Sequence, residues 1–363
     1  MSNQEQSLSS PIFEERTVVD ADVHVEVPTE EMAAFADEPV RSRLLNSYAF
    51  PVVGGSDWDP TMGGEIEPDD PIEGPDEVEG IVRDGLGIEQ PILNPVFGLG
   101  KVSKPELAVD LMRARNEAFA ATYLDGTDFR GLGVITAKAP DAVAEEIDRL
   151  GDEDGIVGVV IECLGERAPL GDPSLDPVYS AAEDNGLPVV YHTKAAGNFM
   201  YSFPTQDKGV NTFLEAHTLA HLWGPSLALT SLLVQGVPEK FPDLEFVFLE
   251  SGASWVPHLV GQLNRAYARR NEEAPLLRKP PEEYVREQFY FATQPLGELA
   301  DPDRLRGTID AVGVDSLVFA TDYPHWNFDD PDAVGERFAA VFDPEERERI
   351  LETTPAEVFG LDV

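Results

Sequence analysis

The segment Ser316–Trp326, SLVFATDYPHW, contains a pattern from which the fold of this 363-residue chain can be inferred. Its first half, SLVFA, is a short apolar run of the kind that forms a strand buried on both faces. Asp322 follows almost at once, and the sequence Tyr-Pro-His-Trp then breaks the strand. A carboxylate at the tip of a buried strand is costly to desolvate unless an arginine, a metal ion or water meets it. The segment therefore predicts a buried strand with reactive chemistry at its carboxyl end.

Seven similar runs occur along the chain, and most are followed by an amphipathic helical segment. The eight runs are TVVDADV (17–23), EQPILNPV (89–96), GLGVITA (131–137), IVGVVIEC (156–163), LPVVYHT (187–193), LEFVFLE (244–250), EQFYFAT (287–293) and SLVFATD (316–322). Apolar runs that alternate with helices are typical of a parallel sheet covered by helices. Eight such units predict an α/β protein with a (β/α)₈ TIM barrel. An open doubly wound sheet is the alternative, but its phosphate-binding glycine fingerprint is not in the sequence.

The sequence adds two features to a minimal barrel. Residues 38–86 follow the first strand and are rich in glycine, proline and acidic residues. This stretch is too long for an ordinary barrel loop, so we predict a lid-like insertion over the barrel mouth. The alternative is a solvent-exposed loop that does not cover the mouth. The tail, residues 343–361, predicts two closing C-terminal helices. Residues 1–363 are expected to form a single barrel domain.

The charge of the chain is strongly negative, with 68 acidic and 26 basic residues and a net charge of −42. The acidic residues are spread over most predicted helices and loops. This distribution favours a protein from a salt-adapted organism, kept soluble where salt screens self-repulsion; a basic partner is the alternative. No basic stripe is present to neutralise phosphates, so nucleic acid is excluded as a partner.

The remaining composition predicts a cytoplasmic protein. Cys163 is the single cysteine, which fits a reducing compartment and excludes an internal disulfide. The start of the chain has neither the basic nor the apolar part of a signal peptide. No apolar run approaches the roughly 20 residues that span a bilayer, so no membrane partner is expected.

Metal-ligand residue types stand at three of the predicted strand ends. Asp22 and His24 are two residues apart and leave the same face of the first strand. His192 ends the fifth strand and Asp322 ends the eighth. In a barrel all carboxyl ends open at one rim, so these four side chains can converge and suit a divalent ion such as Zn²⁺. Taken singly, a histidine at a strand end is more often a hydrogen-bonded rim residue than a metal ligand, and Asp22 or Asp322 alone would more often cap a following turn.

Four stretches of the chain resemble the amidohydrolase superfamily. They are VVDADVHVE (18–26), VVYHTKAAG (189–197), GVPEKFPDLEFVFLESGASWVP (236–257) and FATDYPHW (319–326). The resemblance is to the amidohydrolase-related branch that includes aminocarboxymuconate-semialdehyde decarboxylase and γ-resorcylate decarboxylase. It implies a (β/α)₈ barrel, a divalent metal ion and a small carbonyl- or carboxyl-bearing substrate.

Carried over to this chain, the resemblance implies that His24, His192 and Asp322 are metal ligands. Asp22 takes the place where many members have histidine and some decarboxylases have a carboxylate. The fourth strand ends in Glu162 rather than lysine, so the carboxylated-lysine bridge of dinuclear relatives is not expected. We therefore expect one ion, Zn²⁺, with Mn²⁺ as the alternative.

The sequence departs from the family pattern after the sixth strand. Many members have a histidine there that acts on the substrate, whereas this chain has Glu250. We expect Asp322 and Glu250 to be the catalytic groups. The main hypothesis is hydrolysis by a metal-activated water; the alternatives are metal-dependent nonoxidative decarboxylation of a small aromatic or unsaturated acid, and a non-catalytic barrel.

Three further residues are candidates for substrate binding. Lys194 lies two residues after His192, and His325 lies three after Asp322. His221 is four residues after His217, so both share one helix face and one of them is a candidate to line the pocket. The alternatives are a solvated loop for the lysine and packing or loop support for the histidines. The expected partners are a small-molecule substrate and, from the family, a second copy in a homodimer.

Overall fold

The computed structural model of the protein describes residues 17–46, 72–96, 98–163, 169–193, 212–295, 301–325, 327–329 and 331–362. Lys194 and most of the predicted lid, residues 47–71, lie outside these ranges. The described strands are β1 Val19–His24, β2 Gln90–Asn94, β3 Arg130–Val134, β4 Ile156–Glu162, β5 Val189–His192, β6 Phe246–Leu249, β7 Phe289–Ala292 and β8 Leu317–Val318. Each lies within or within one residue of one of the eight predicted runs.

The eight strands form one parallel sheet in sequential order, β1 to β8. The sheet closes where β1 meets the segment after β8 through a parallel bridge between Val23 and Tyr323. The Ala21 N–H donates to the carbonyl of Phe319 at 2.9 Å across the same seam. The predicted (β/α)₈ TIM barrel is therefore confirmed.

Helices surround the sheet and follow the amphipathic segments of the sequence. The described α-helices are α1 Thr29–Phe35, α2 Val40–Leu45, α3 Pro75–Glu77, α4 Pro105–Phe119, α5 Pro140–Gly151, α6 Asp176–Asp184, α7 Phe213–Val234, α8 Val237–Lys240, α9 Val256–Arg270, α10 Pro281–Gln288, α11 Pro302–Val312, α12 Pro331–Val341, α13 Pro344–Glu348 and α14 Thr354–Phe359. The last two are the predicted closing helices. Across the described ranges, no helix is both long and apolar enough to cross a membrane.

Helix α7 matters most for the site because it carries two histidines toward the barrel mouth. It begins with a capping box, in which the Thr212 hydroxyl accepts from the Glu215 N–H and the Glu215 carboxylate accepts from the Thr212 N–H. Two of the free N–H groups at the helix start are thereby satisfied. The cap fixes the residue at which the helix begins. It thereby helps to set the orientation of the helix about its axis, and so the direction in which His217 and His221 point.

The described ends of the 38–86 segment are folded against the barrel. Its first part forms α2, and its last part begins at Ile72, which is 1% exposed. The Ile72 carbonyl accepts from the Glu26 N–H at 2.8 Å and from the Tyr123 hydroxyl at 2.9 Å. The backbone is therefore fixed on both sides of residues 47–71.

Candidate metal centre

Four polar side chains meet at the carboxyl end of the barrel. Asp22 and His24 come from β1, His192 from β5 and Asp322 from the turn after β8. One ligand atom from each lies within 4.8 Å of the others, and all four residues are buried. The structure thus brings together the four residues that the sequence analysis nominated as metal ligands.

The contacts between these side chains are short. The Nε2 atoms of His24 and His192 are 3.2 Å apart. His24 Nε2 lies 3.3 Å from Asp22 Oδ1 and 3.2 Å from Asp322 Oδ1, and His192 Nε2 lies 3.4 Å from Asp22 Oδ2. Ligand atoms about 2.0–2.1 Å from one four-coordinate ion would lie roughly 3.3 Å from one another. The donor set therefore fits a divalent cation.

A buried carboxylate oxygen that accepts no hydrogen bond supports the same fit. Asp22 Oδ2 has less than 1 Å² of exposed surface and accepts no hydrogen bond from any described residue. A buried carboxylate oxygen in this state is destabilising unless a cation reaches it. Two imidazoles and two carboxylates are nitrogen and oxygen ligands that suit Zn²⁺ or Mn²⁺.

Two side-chain amides hold the carboxylates, and the sequence analysis missed both. Asn94, at the end of β2, donates from Nδ2 to Asp22 Oδ1 at 2.7 Å. Gln294, just after β7, donates from Nε2 to Asp322 Oδ2 at 3.1 Å. Each amide follows an apolar strand, which is the signal that identified the four candidate ligands. Such supporting contacts fix the orientation of a ligand oxygen.

Asp20 is a third residue that the sequence analysis missed. It is fully buried, and its carboxylate accepts from the N–H groups of Asp22 and Thr321 at 3.0 and 3.1 Å and from the Thr321 hydroxyl at 2.5 Å. Burial raises the pKa of Asp20 to about 7, although these hydrogen bonds oppose the rise. Asp20 therefore joins the first and last strands directly behind Asp22 and Asp322.

The backbone is unusual at two of the acidic residues. Asp322 has φ +66° and Glu250 has φ +52°, in the left-handed region that non-glycine residues rarely adopt. Such conformations persist only where the surrounding structure imposes them, and they concentrate at functional sites. In both cases the turn comes at the end of a strand and holds the carboxylate at the barrel rim.

His325 contacts the centre from the solvent side. Its Nδ1 lies 2.7 Å from Asp322 Oδ1, and its ring centroid is 4.1 Å from that of His24. Burial lowers the pKa of His325, but the Asp322 charge outweighs burial and raises the pKa to about 10. The side chain is 35% exposed, so His325 connects the buried Asp322 to solvent.

Glu250 also lies at the centre: it is placed between two histidines, and one of its carboxylate oxygens is within 4.8 Å of ligand atoms of Asp322 and His325. Its Oε1 is 2.9 Å from His221 Nε2, and its Oε2 is 3.6 Å from His192 Nδ1. The His221 ring lies 3.9 Å from that of His217, with the planes 32° apart. His221 makes the short contact with Glu250, and one ring nitrogen of His217 lies within 4.8 Å of ligand atoms of both.

The end of β4 contributes no lysine, as the sequence indicated. Glu162 is buried there, and its Oε2 accepts from the Gly100 N–H at 3.0 Å. Cys163 follows it, and burial raises the pKa of its thiol. Neither residue belongs to the described group of four around Asp22.

The chain is similar to several known proteins. Residues 19–361 match the family model described as Amidohydrolase. The chain is 24% identical over 287 residues to 2-amino-3-carboxymuconate-6-semialdehyde decarboxylase of Dictyostelium discoideum, covering 77% of this chain and 71% of the relative. It is also 24% identical over 280 residues to γ-resorcylate decarboxylase of Rhodococcus jostii, covering 72% and 80%.

A solved structure has the same fold. It is 5-carboxyvanillate decarboxylase from Novosphingobium aromaticivorans, complexed with manganese and 4-hydroxy-3-methoxy-5-nitrobenzoic acid. The TM-score is 0.71 at 17% sequence identity, and the match covers 99% of this chain and all of that chain. At this identity the likeness establishes the barrel architecture.

Proposed function

The chain belongs to the amidohydrolase family, and we propose that it is a metal-dependent nonoxidative decarboxylase of a small aromatic or unsaturated carboxylic acid. The observation that carries the proposal is the buried convergence of Asp22, His24, His192 and Asp322 within 4.8 Å. The relatives named above are decarboxylases, and a carboxylate rather than a histidine occupies position 22.

Decarboxylation replaces hydrolysis as the preferred reaction. The sequence analysis favoured hydrolysis because Glu250 stands where many members have a substrate-directed histidine. The comparisons favour the alternative, since the named relatives release CO₂ from carboxylic acids rather than cleave amides or esters. The presence of Glu250 in place of that histidine is therefore not enough to favour hydrolysis.

The four convergent residues would hold one divalent ion, Zn²⁺ or Mn²⁺. When bound, such an ion supplies positive charge that fixes the substrate carboxylate or an adjacent phenolate. Asn94 and Gln294 keep the Asp22 and Asp322 oxygens turned toward the centre. With its ligands preoriented by amides, the site does not have to reorganise when substrate arrives.

The reaction needs one proton at the carbon that loses its carboxyl group. The bond between that carbon and the carboxyl carbon breaks, its electron pair stays on the substrate carbon, and CO₂ leaves. We assign Asp322 and Glu250 as the carboxyl groups that carry the proton, because both stand at the rim and each contacts a histidine. His325 would replenish the proton on Asp322 from solvent.

The test is a reaction panel on metal-free protein reloaded separately with Zn²⁺ and Mn²⁺. Hydroxybenzoates, other aromatic acids, lactones and amides are supplied, and CO₂ release is monitored apart from hydrolysis. We expect CO₂ from at least one acid, with one deuteron in the product when the reaction runs in D₂O. Hydrolysis of a lactone or amide without CO₂ from any acid would reject the proposal in favour of the hydrolase.

Two histidine-to-glutamine variants, one at the candidate site and one on the surface, test the metal site. His24→Gln removes a candidate ligand, whereas His258→Gln makes the same substitution at an exposed residue of α9. We expect the first variant to lose bound metal and CO₂ release and the second to keep both. Equal metal content in the two variants would favour the non-catalytic barrel or a different metal site.

A further inference from the structure

The contact between His221 and Glu250 requires a proton that a neutral histidine does not supply. His221 Nδ1 lies 2.6 Å from the carbonyl oxygen of His217, and that oxygen can only accept, so Nδ1 carries a hydrogen. In a neutral ring Nε2 is then an acceptor, yet it faces Glu250 Oε1 at 2.9 Å. Two acceptors at this distance need a proton or a cation between them.

We propose that His221 is a specificity-determining residue that shares one proton with Glu250, cancels its negative charge and so admits a carboxylate substrate to the candidate metal centre. Whichever of the two side chains holds that proton, the pair as a whole is uncharged. This inference rests on the proposed decarboxylase function, which requires an anionic substrate.

The position of Glu250 makes its charge matter for binding. A carboxylate oxygen of Glu250 lies within 4.8 Å of ligand atoms of Asp322 and His325, at the mouth of the centre. The side chains of Glu250 and His221 are only 8% and 10% exposed, so water screens them poorly. A divalent ion balances Asp22 and Asp322, but an uncompensated Glu250 would still repel an incoming carboxylate.

The surroundings of the pair agree with a shared proton. Burial alone lowers the pKa of His221, but the Glu250 charge and hydrogen bond outweigh burial and raise it. The His221 ring is anchored at both nitrogens, and its helix is fixed by the Thr212 cap. The compensating group is therefore held rigidly in place.

The test is a charge cycle in metal-loaded protein. His221→Gln keeps an N–H donor for Glu250 but removes the extra proton, so Glu250 stays charged. Glu250→Gln and the double variant are both neutral at this position. The anionic probe is 2,6-dihydroxybenzoate, and the neutral probe is resorcinol, which is the same ring without the carboxylate. Binding is measured by titration calorimetry, together with metal content and thermal unfolding.

We expect His221→Gln to bind the carboxylate about 10²-fold more weakly, as for two like charges near 5 Å in a partly buried site. Resorcinol affinity should not change. Glu250→Gln and the double variant should bind the carboxylate within about threefold of the wild type, because neither has a net charge at the pair. His325 is present in every variant, so the effect of its charge on binding does not alter the ratios of affinities between variants.

If His221 and Glu250 served only in packing, both single variants would bind both probes more weakly, and that result would overturn the proposal. So would a wild type that binds the carboxylate no better than resorcinol. A second equivalent of metal that is lost in His221→Gln would overturn it too, since a cation would then occupy the contact. His258→Gln is the matched control and should behave as the wild type. If the affinities follow the cycle but no acid in the panel releases CO₂, the decarboxylase proposal fails and the charge pairing stands.

Discussion

Replacing Asp322 with asparagine tests the metal-centred interpretation most directly. Asp322 is fully buried; its Oδ1 lies 3.2 Å from His24 Nε2 and 2.7 Å from His325 Nδ1, and its Oδ2 accepts from Gln294. Asn keeps the size and one oxygen of the side chain. If that oxygen stays on Gln294, the amide NH₂ replaces the oxygen that faces the centre, and an amide nitrogen is not a metal ligand.

The fold of Asp322→Asn should survive. Asparagine tolerates the left-handed conformation that residue 322 adopts at φ +66°, and the core around β8 is unchanged. If the amide turns the other way, its NH₂ opposes the Gln294 NH₂, which costs about 1–3 kcal/mol for an unsatisfied buried donor. We therefore expect the free energy of unfolding to fall by no more than this amount.

Turnover should fall much further than stability. The variant loses a negative ligand and the carboxyl group that we assign as a proton carrier. Loss of a positioned acid or base costs about 10²–10⁴-fold in rate, so we expect at least a 10²-fold fall in CO₂ release per bound metal. Steady-state rates, metal analysis and urea unfolding on one preparation measure all three effects.

Asp315→Asn is the matched control, because Asp315 makes an exposed ion pair with Arg349 just before β8. That substitution should leave rate and metal content unchanged. Near-normal turnover in Asp322→Asn would refute both the ligand and the proton-carrier assignments, and with them the metal-centred reading of the rim.

Four further predictions follow from the same structure. Glu250→Gln should lose about 10²–10⁴-fold in turnover with its metal retained, as expected for a proton carrier, and loss of metal instead would make Glu250 a ligand. Asn94→Leu removes the amide that donates to Asp22, and should lower metal affinity about 10–100-fold in a competitive chelator titration; unchanged affinity would show that the amide does not orient the ligand. Chelation should lower the melting temperature, because the four convergent residues would hold an ion only in the folded state, and added Zn²⁺ or Mn²⁺ should restore it. If chelators did not change the melting temperature, the protein would not contain a bound ion that stabilises it. The net charge of −42 predicts a melting temperature that rises from dilute buffer to molar KCl as repulsion is screened, and no change would exclude salt adaptation.

The four residues that converge at the barrel rim could be nominated from sequence because each one stands at the end of an apolar strand. Parallel barrel strands all open at one rim, so a polar residue after a buried run has a predictable location. Asp22, His24, His192 and Asp322 were nominated on this ground. Asn94 and Gln294 carry the same signal, but an amide has no distinctive chemistry until its hydrogen-bond partner is known.

The eight strands, their order and the rim at which the candidate metal ligands lie could all be inferred from the amino-acid sequence. The physical reason is that strand burial and the alternation with helices are local patterns, repeated along the chain. The folded structure was needed to show that His221 Nε2 lies 2.9 Å from Glu250 Oε1, and that Asp20 accepts hydrogen bonds from both Asp22 and Thr321. The contact between His221 and Glu250 joins residues 29 positions apart, and the contact between Asp20 and Thr321 joins residues 301 positions apart. No local pattern in the sequence encodes such a distance across the barrel.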